Sequence, residues 1–405
     1  MDQLSNLDRK ACASTVAQDS GWLLWAGFIL VALNLRIIFA SVGPLLKLLD
    51  IDLSTTLLVT TLPPLLLGVF SVAGLKLRHW LGEEQAMLTA LTCLVLGCAL
   101  RWLGPAGLLG GTVIGSLGVA TMSVIMPVLV RKRFAPQQIG PVMGLYALML
   151  GLGAVVAAGA SFPMYMALGE SPEAAFRTLG LWCLPALLAL LLWLPQASVK
   201  HHGHDGPAVV SQVNVYRSRL AWSITLFFGL QALNLYAFLA WLPTIYIDRG
   251  ASAEEAAWLL AASQVSLTLG GFFTPILAAR APHQRGHICM TVGLCLVGTL
   301  GVMWAPVGSG IIWVLLLGFG QGAGPSLGAY LFVARSANRQ IAAELSTMVQ
   351  TVGYLIAAAG PLLMGGLHRV FDSWNVPLGI MGGILVVQLW VSLPAGNPEK
   401  IGAVE

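Results

Sequence analysis

Windows of about 20 apolar residues recur along the whole chain, and a segment of that length and character is what crossing a bilayer requires. Twelve fall near 22–46, 55–75, 85–103, 106–130, 139–163, 177–195, 220–245, 255–278, 288–305, 310–333, 345–367 and 375–393. Hydrocarbon offers the backbone no water, so a spanning segment must satisfy its own amides, as a helix or within a closed barrel. Barrel strands would show alternating polarity over about 10 residues, and that alternation is absent. The spacing predicts an all-α integral membrane protein with 12 transmembrane helices. Composition agrees, since 57% of the 405 residues are hydrophobic and only 9% are charged, against about a quarter charged in a soluble domain.

The basic residues set an orientation. Lys47, Arg101, Arg177, Arg249 and Arg369 fall in loops on one side. Apart from Arg36, all the other Lys and Arg, including the run Arg131-Lys132-Arg133, fall on the side of the N-terminus. The excess predicts cytoplasmic termini, and the run suits contact with lipid headgroups. The net charge of +4 then reflects topology and gives no nucleic-acid footprint. The tail Met1 to Ser20 shows no cleavage site after a short apolar core, so the first span is expected to be retained. Cys12 in the tail and Cys93, Cys98, Cys183, Cys289 and Cys295 in the spans read as reduced small hydrophobes.

The longest polar stretch between spans, Gln196 to Arg219, divides six spans from six. The expected organisation is a cytoplasmic tail 1–21, a six-helix bundle 22–195, a linker 196–219, a second six-helix bundle 220–393 and a tail 394–405. The halves share an internal repeat: Ala32-Leu33-Asn34-Leu35-Arg36 recurs as Ala232-Leu233-Asn234-Leu235-Tyr236, followed by Pro44 and Pro243 at nearly the same offset. Tyr236 is then the symmetry mate of Arg36. Two such halves related by an axis along the membrane normal are the plan of the major facilitator superfamily. In that fold the first and fourth helices of each half line a central cavity. Glycines at 110, 111, 115 and 118, and at 318, 320, 322 and 324, would allow close packing in spans 4 and 10.

Several strings carry a closer resemblance. They include Leu33-Asn34-Leu35-Arg36, Val42-Gly43-Pro44-Leu45-Leu46, Met126-Pro127 through Arg131-Lys132-Arg133-Phe134, and Val142-Met143-Gly144-Leu145-Tyr146 in the first half. In the second half they include Ala240-Trp241-Leu242-Pro243 with Tyr246-Ile247, and Met348-Val349-Gln350. The chain resembles the cyanate transporter and nitroimidazole transporter family of bacterial facilitators over nearly its whole length. The resemblance implies an inner-membrane carrier of small, often anionic or planar polar solutes, with the span-1 arginine in the matching place. One departure stands out: the superfamily's loop between helices 2 and 3 usually carries Gly-x-x-x-Asp-Arg-x-Gly. Here Gly74-Leu75-Lys76-Leu77-Arg78-His79-Trp80-Leu81-Gly82-Glu83-Glu84 has no Asp, which puts the charge-relay latch of that loop in question.

Arg36 is the leading candidate for substrate contact. It sits near the middle of the first apolar window, and the acidic residues fall in tails or predicted loops. Unpaired membrane charges mark substrate pathways, and a planar guanidinium suits a carboxylate or cyanate through paired charge-assisted hydrogen bonds. Its bland reading is an arginine bonded to carbonyls or an acid, holding helices together. Tyr236 would close the opposite side of the site. Tyr146, Gln350 with Tyr354 at i, i+4, Gln321, Gln264 and Thr60 are further candidates for a polar ring, each with interhelical hydrogen bonding as the alternative. Asn34 and Asn234 lie about 200° around the helix from Arg36 and Tyr236 and are read as helix-to-helix donors.

No catalytic constellation, P-loop or cofactor motif is present, so a transporter is expected and an enzyme or ATP-driven pump is not. The run His201-His202-Gly203-His204-Asp205 reads as solvated loop in preference to a metal site. The absence of a buried acid argues against a cationic-drug antiporter built on one. The expected partners are a small, anionic substrate and membrane lipids, with the chain acting as a monomer. Anion exchange, facilitated diffusion and proton symport stay open, as do two rival readings, an exporter of drugs or nitro-heterocycles and a non-transporting sensor or scaffold.

Overall fold

In the computed structural model, which describes residues 21–198 and 214–402, the long elements are all α-helices. The first half comprises α1 (Gly21–Ala40), α2 (Leu53–Leu81), α3 (Glu83–Leu100), α4 (Pro105–Arg133), α5 (Ile139–Ala167) and the paired α6 (Pro172–Leu181) and α7 (Cys183–Ser198). The second comprises α8 (Arg219–Asp248), α9 (Ala253–Arg280), α10 (Arg285–Trp304), α11 (Gly310–Ala334), α12 (Arg339–Phe371) and α13 (Asn375–Ser392). Among the described residues, 11 stretches are long and apolar enough to cross a membrane. The 29-residue α2 stands in the place of the twelfth. Cys12, the histidine run at 201–204 and most of the expected linker lie outside the described residues.

Several helices outrun the apolar windows because polar caps extend them. Asp52 accepts from Thr55 N at 3.2 Å at the start of α2, and Asn338 accepts from Ile341 N at 2.8 Å at the start of α12. Each supplies an acceptor for amides that have no partner in the first turn. The sixth apolar window is not one helix but two, α6 capped by Ser171 (Ala174 N, 3.1 Å) and then α7. Conversely α1 stops at Ala40, short of its window. A 3-10 turn follows at Gly43–Leu48, with Pro44 at its start, a residue without the N–H that an α-helix interior needs.

The repeat seen in the sequence is present in the packing. Helix α5 crosses α1 so closely that a methyl group at Gly153 would meet the carbonyl oxygen of Leu33. In the second half α12 crosses α8 the same way, with Gly360 against the carbonyl oxygen of Leu233. Leu33 and Leu233 are corresponding residues of the repeated string, so the two halves share both helix pairing and register.

The halves meet along two main seams, α2 with α12 and α5 with α9, and α4 adds contacts to α12 and α11. Gly140, Gly144 and Gly151 of α5 lie against Ala279, Phe272 and Thr268 of α9, and Gly68 lies against Thr351 and Leu355 of α12. Every hydrogen bond between the halves recorded among the described residues lies toward one face, the basic face that holds Arg78, Arg131 and Arg335. There Arg78 Nη1 donates to Gln340 Oε1 at 2.9 Å, and Arg131 donates to Val333 O and Ala337 O at 2.6 and 2.8 Å. The loop lacking the superfamily's Asp is built instead on Glu83 and Glu84, which pair with Arg78 at 2.9 Å and Lys132 at 2.7 Å respectively. Both begin α3, so these acids belong to a helix end and not to a loop.

Candidate functional site

Arg36 lies on α1 and is half-buried. No hydrogen bond or ion pair among the described residues reaches its guanidinium. Its charge acts on Tyr146 of α5 and Tyr354 of α12, and Tyr354 in turn lies within electrostatic reach of Tyr236 of α8 and of Tyr146. Arg36, Tyr146 and Tyr236 are thus all within electrostatic reach of Tyr354, and the four come two from each half. Aromatic rings back the group: Phe28 stands 6.4 Å from Tyr146, and Phe228 meets Tyr354 edge-on at 5.7 Å. One cation facing phenolic hydroxyls and ring faces is equipped to hold a small planar anion, the charge on the guanidinium and the flat faces against the rings.

The other candidates are placed differently. Gln350 is 3% exposed and committed to helix-to-helix bonds. Its amide donates to Ser346 Oγ at 2.9 Å and to Ser123 O at 3.1 Å, and Ser123 Oγ donates to Gln350 Oε1 at 2.5 Å. Gln350 is one turn from Tyr354 on the side of the basic face, so this clasp between α4 and α12 floors the site. Gln321 is 3% exposed and donates to Asn234 Oδ1 at 2.9 Å, tying α11 to α8. Asn34 donates to Leu30 O at 2.8 Å and to Pro185 O at 3.1 Å, tying α1 to α7. Both asparagines face away from the tyrosines, as their angular position requires. Gln264 of α9 bonds to its neighbour Ser263 at 3.3 Å, one turn from Thr268 in the seam with α5. The side chain of Thr60 lies outside the described residues.

Sequence reading missed Ser123 and a buried amide chain in the second half. Gln388 of α13 donates to Gln231 Oε1 at 2.7 Å, and Gln231 of α8 donates to Gly320 O of α11 at 2.9 Å. Both glutamines fall within predicted spans, so an inventory of every intramembrane amide would have found them.

Arg101 requires a correction. The charge pattern put it in an outer loop, yet it is 1% exposed and donates to Ile38 O at 2.5 Å and to Thr112 Oγ1 at 3.0 Å. The short turn Arg101–Leu103 folds back under the end of α1, where the last helical carbonyls have no amide partner. Two other arginines do the same work: Arg131 on the end of α11, and Arg249 on Val302 O and Ala305 O at the end of α10. These three arginines bond the carbonyls at helix C-termini, where the dipole favours a cation. Among the described residues no such bond reaches Arg36.

A cavity of about 680 Å³ opens at the opposite face of the second half, lined in part by Asp248, Arg249, His368 and Trp374. Asp248 lies 12 residues past Tyr236 on α8, roughly 18 Å along the axis, so this cavity is separate from the Arg36 group.

The sequence profile of the Major Facilitator Superfamily matches residues 24–361. The 2-nitroimidazole transporter of Escherichia coli (strain K12) is 33% identical over 396 residues, covering 96% of this chain and 99% of the relative. The cyanate transport protein CynX of the same organism is 31% identical over 373 residues, covering 89% and 95%. Among solved structures, the fucose:proton symporter FucP of E. coli superposes with a TM-score of 0.70 at 16% identity, covering 91% of this chain and 97% of that one, a likeness of fold.

Proposed function

The chain belongs to the Major Facilitator Superfamily and is a small-solute transporter, and on that premise we propose that it carries a small anionic or planar polar solute by alternating access, with Arg36 as the anion anchor. The observation that carries this reading is the guanidinium of Arg36, without a bond among the described residues, within electrostatic reach of Tyr146 in its own half and Tyr354 in the other. Removing a charge from water without a partner is costly, so a bound anion that neutralises Arg36 lowers the cost of closing the site.

The basic face is the cytoplasmic one in this reading, with both termini there and the chain a monomer in a bacterial inner membrane, its basic loops against lipid headgroups. All the bonds between the halves among the described residues then lie at or below the site on the cytoplasmic side, which is the pattern of an outward-facing carrier. Opening inward requires the Ser123–Gln350 clasp and the Arg131 and Arg78 links to break together while the outer ends of the halves approach. An exporter of nitro-heterocycles is the second reading, favoured by the 33% identity to a 2-nitroimidazole transporter. Counterflow in proteoliposomes with cyanate, benzoate and 2-nitroimidazole, run on the wild type and Arg36→Gln, separates them: an anion flux lost with the arginine supports the anchor. A heterocycle flux that survives its loss supports the exporter.

A further inference from the structure

Arg101 is a second intramembrane cation without a counter-ion. No carboxylate pairs with it among the described residues, its Nε is buried without a partner, and its two bonds go to neutral oxygens, Ile38 O and Thr112 Oγ1. Ile38 is two residues beyond Arg36, roughly 3 Å of helical rise. The Ile38 side chain packs against Gly115 of α4, and Arg101 itself lies against Gly111, so its guanidinium meets α1 on the flank turned toward α3 and α4. The two guanidiniums are therefore separated by about one helix diameter, on the order of 10–12 Å. The dipole at the end of α1 favours a cation there, but it amounts to only about half an elementary charge. The full charge of Arg101 exceeds it, so a net positive charge is left close to the Arg36 site.

We propose that Arg101 is a specificity-determining residue, whose buried charge raises the positive potential of the Arg36 site and selects anions over neutral solutes of the same shape, while its hydrogen bond to Ile38 O fixes the segment that bears Arg36. The inference rests on the reading of Arg36 as the anion site. At an effective dielectric constant of about 20, a unit charge about 12 Å away changes the local concentration of a monovalent anion by roughly tenfold. Water and salt reaching the open site screen part of that, leaving about three- to tenfold for each monovalent charge.

The test reads the potential directly and needs no knowledge of the substrate. A cysteine is introduced as Tyr236→Cys, and its rates of modification by an anionic and a cationic methanethiosulfonate are measured, with the parent chain correcting for native cysteines. The same potential acts on the two reagents in opposite senses, so the ratio of anionic to cationic rate is expected to fall by the square of that factor, about ten- to hundredfold, in Arg101→Gln, which can still donate to Ile38 O, and to recover in Arg101→Lys. Arg36→Gln is expected to lower it at least as much. A fall with Arg36→Gln but none with Arg101→Gln overturns the inference and leaves the anion site standing. No change with either overturns the Arg36 reading and the inference with it. A fall with Arg101→Gln that Arg101→Lys does not restore assigns Arg101 a packing role and overturns the electrostatic one. Should Arg101→Gln fail to fold, Thr112→Asp, which places a carboxylate on the Arg101 guanidinium, is expected to lower the ratio by a similar factor, and an unchanged ratio there counts against the proposal.

Discussion

Ser123 on α4 and Gln350 on α12 hold each other from both ends, the serine hydroxyl donating to the glutamine carbonyl at 2.5 Å and the glutamine amide donating to the serine carbonyl at 3.1 Å. The clasp joins the two halves immediately below the Arg36 group. It ties the closure of one face to the position of Tyr354, four residues on along the same helix.

Replacing Gln350 by Leu leaves the Ser123 hydroxyl without its partner in the other half. The expected cost to the closed basic face is about 1–3 kcal/mol. Hydrogen–deuterium exchange should then rise in the ends of α4, α11 and α12 near that face and fall at the opposite face. Equal exchange at both faces in mutant and wild type would show that the clasp does not hold the closed state.

Asn234→Leu removes the better acceptor of the Gln321 amide, which donates to Asn234 Oδ1 at 2.9 Å, and leaves it only the backbone oxygen of the same residue at 3.5 Å. The protein is expected to lose about 1–3 kcal/mol of stability, seen as a lower thermal midpoint in detergent. Ligand affinity measured below that midpoint should be nearly unchanged, because Asn234 faces α11 and not the tyrosines.

Gly322→Ala and Gly110→Ala make a matched pair. A methyl group at Gly322 would collide with the backbone carbonyl of Leu267, where α11 crosses α9, whereas one at Gly110 would meet nothing within 4 Å. Overpacking at a helix crossing costs about 1–3 kcal/mol. Gly322→Ala should therefore lower the thermal midpoint and the yield of monodisperse protein, and Gly110→Ala should leave both as they are.

The fold was legible because hydrocarbon enforces it: apolar length fixes the spans, and the repeated string at 32–36 and 232–236 foretold the shared register of Leu33 and Leu233. Helix ends were less legible. The windows track hydrophobicity, while Asp52 and Asn338 extend helices by capping them, and Pro44 follows the early end of α1. In the site, Arg36, Tyr146, Tyr236 and Tyr354 come together, but Gln350 and Gln321 are taken up by Ser123 and Asn234. Sequence spacing gives the side of a helix that a residue occupies; it does not reveal which neighbour has the complementary group. Arg101 was misplaced for a related reason. A charge near the end of an apolar window reads as a loop residue, and only the path of the chain back under α1 shows that it is buried.

If Arg36 binds the charge of the transported solute, its replacement must change anion binding to the purified protein. A panel of small anions, including cyanate and benzoate, and their uncharged analogues would be screened by thermal shift, and the affinity of each stabilising anion measured on wild type, Arg36→Lys and Arg36→Gln. Arg36→Gln is expected to abolish anion stabilisation, and Arg36→Lys, which keeps the charge and loses the planar fork, to recover only part of it. An anion that binds Arg36→Gln as tightly as the wild type would contradict that role for Arg36.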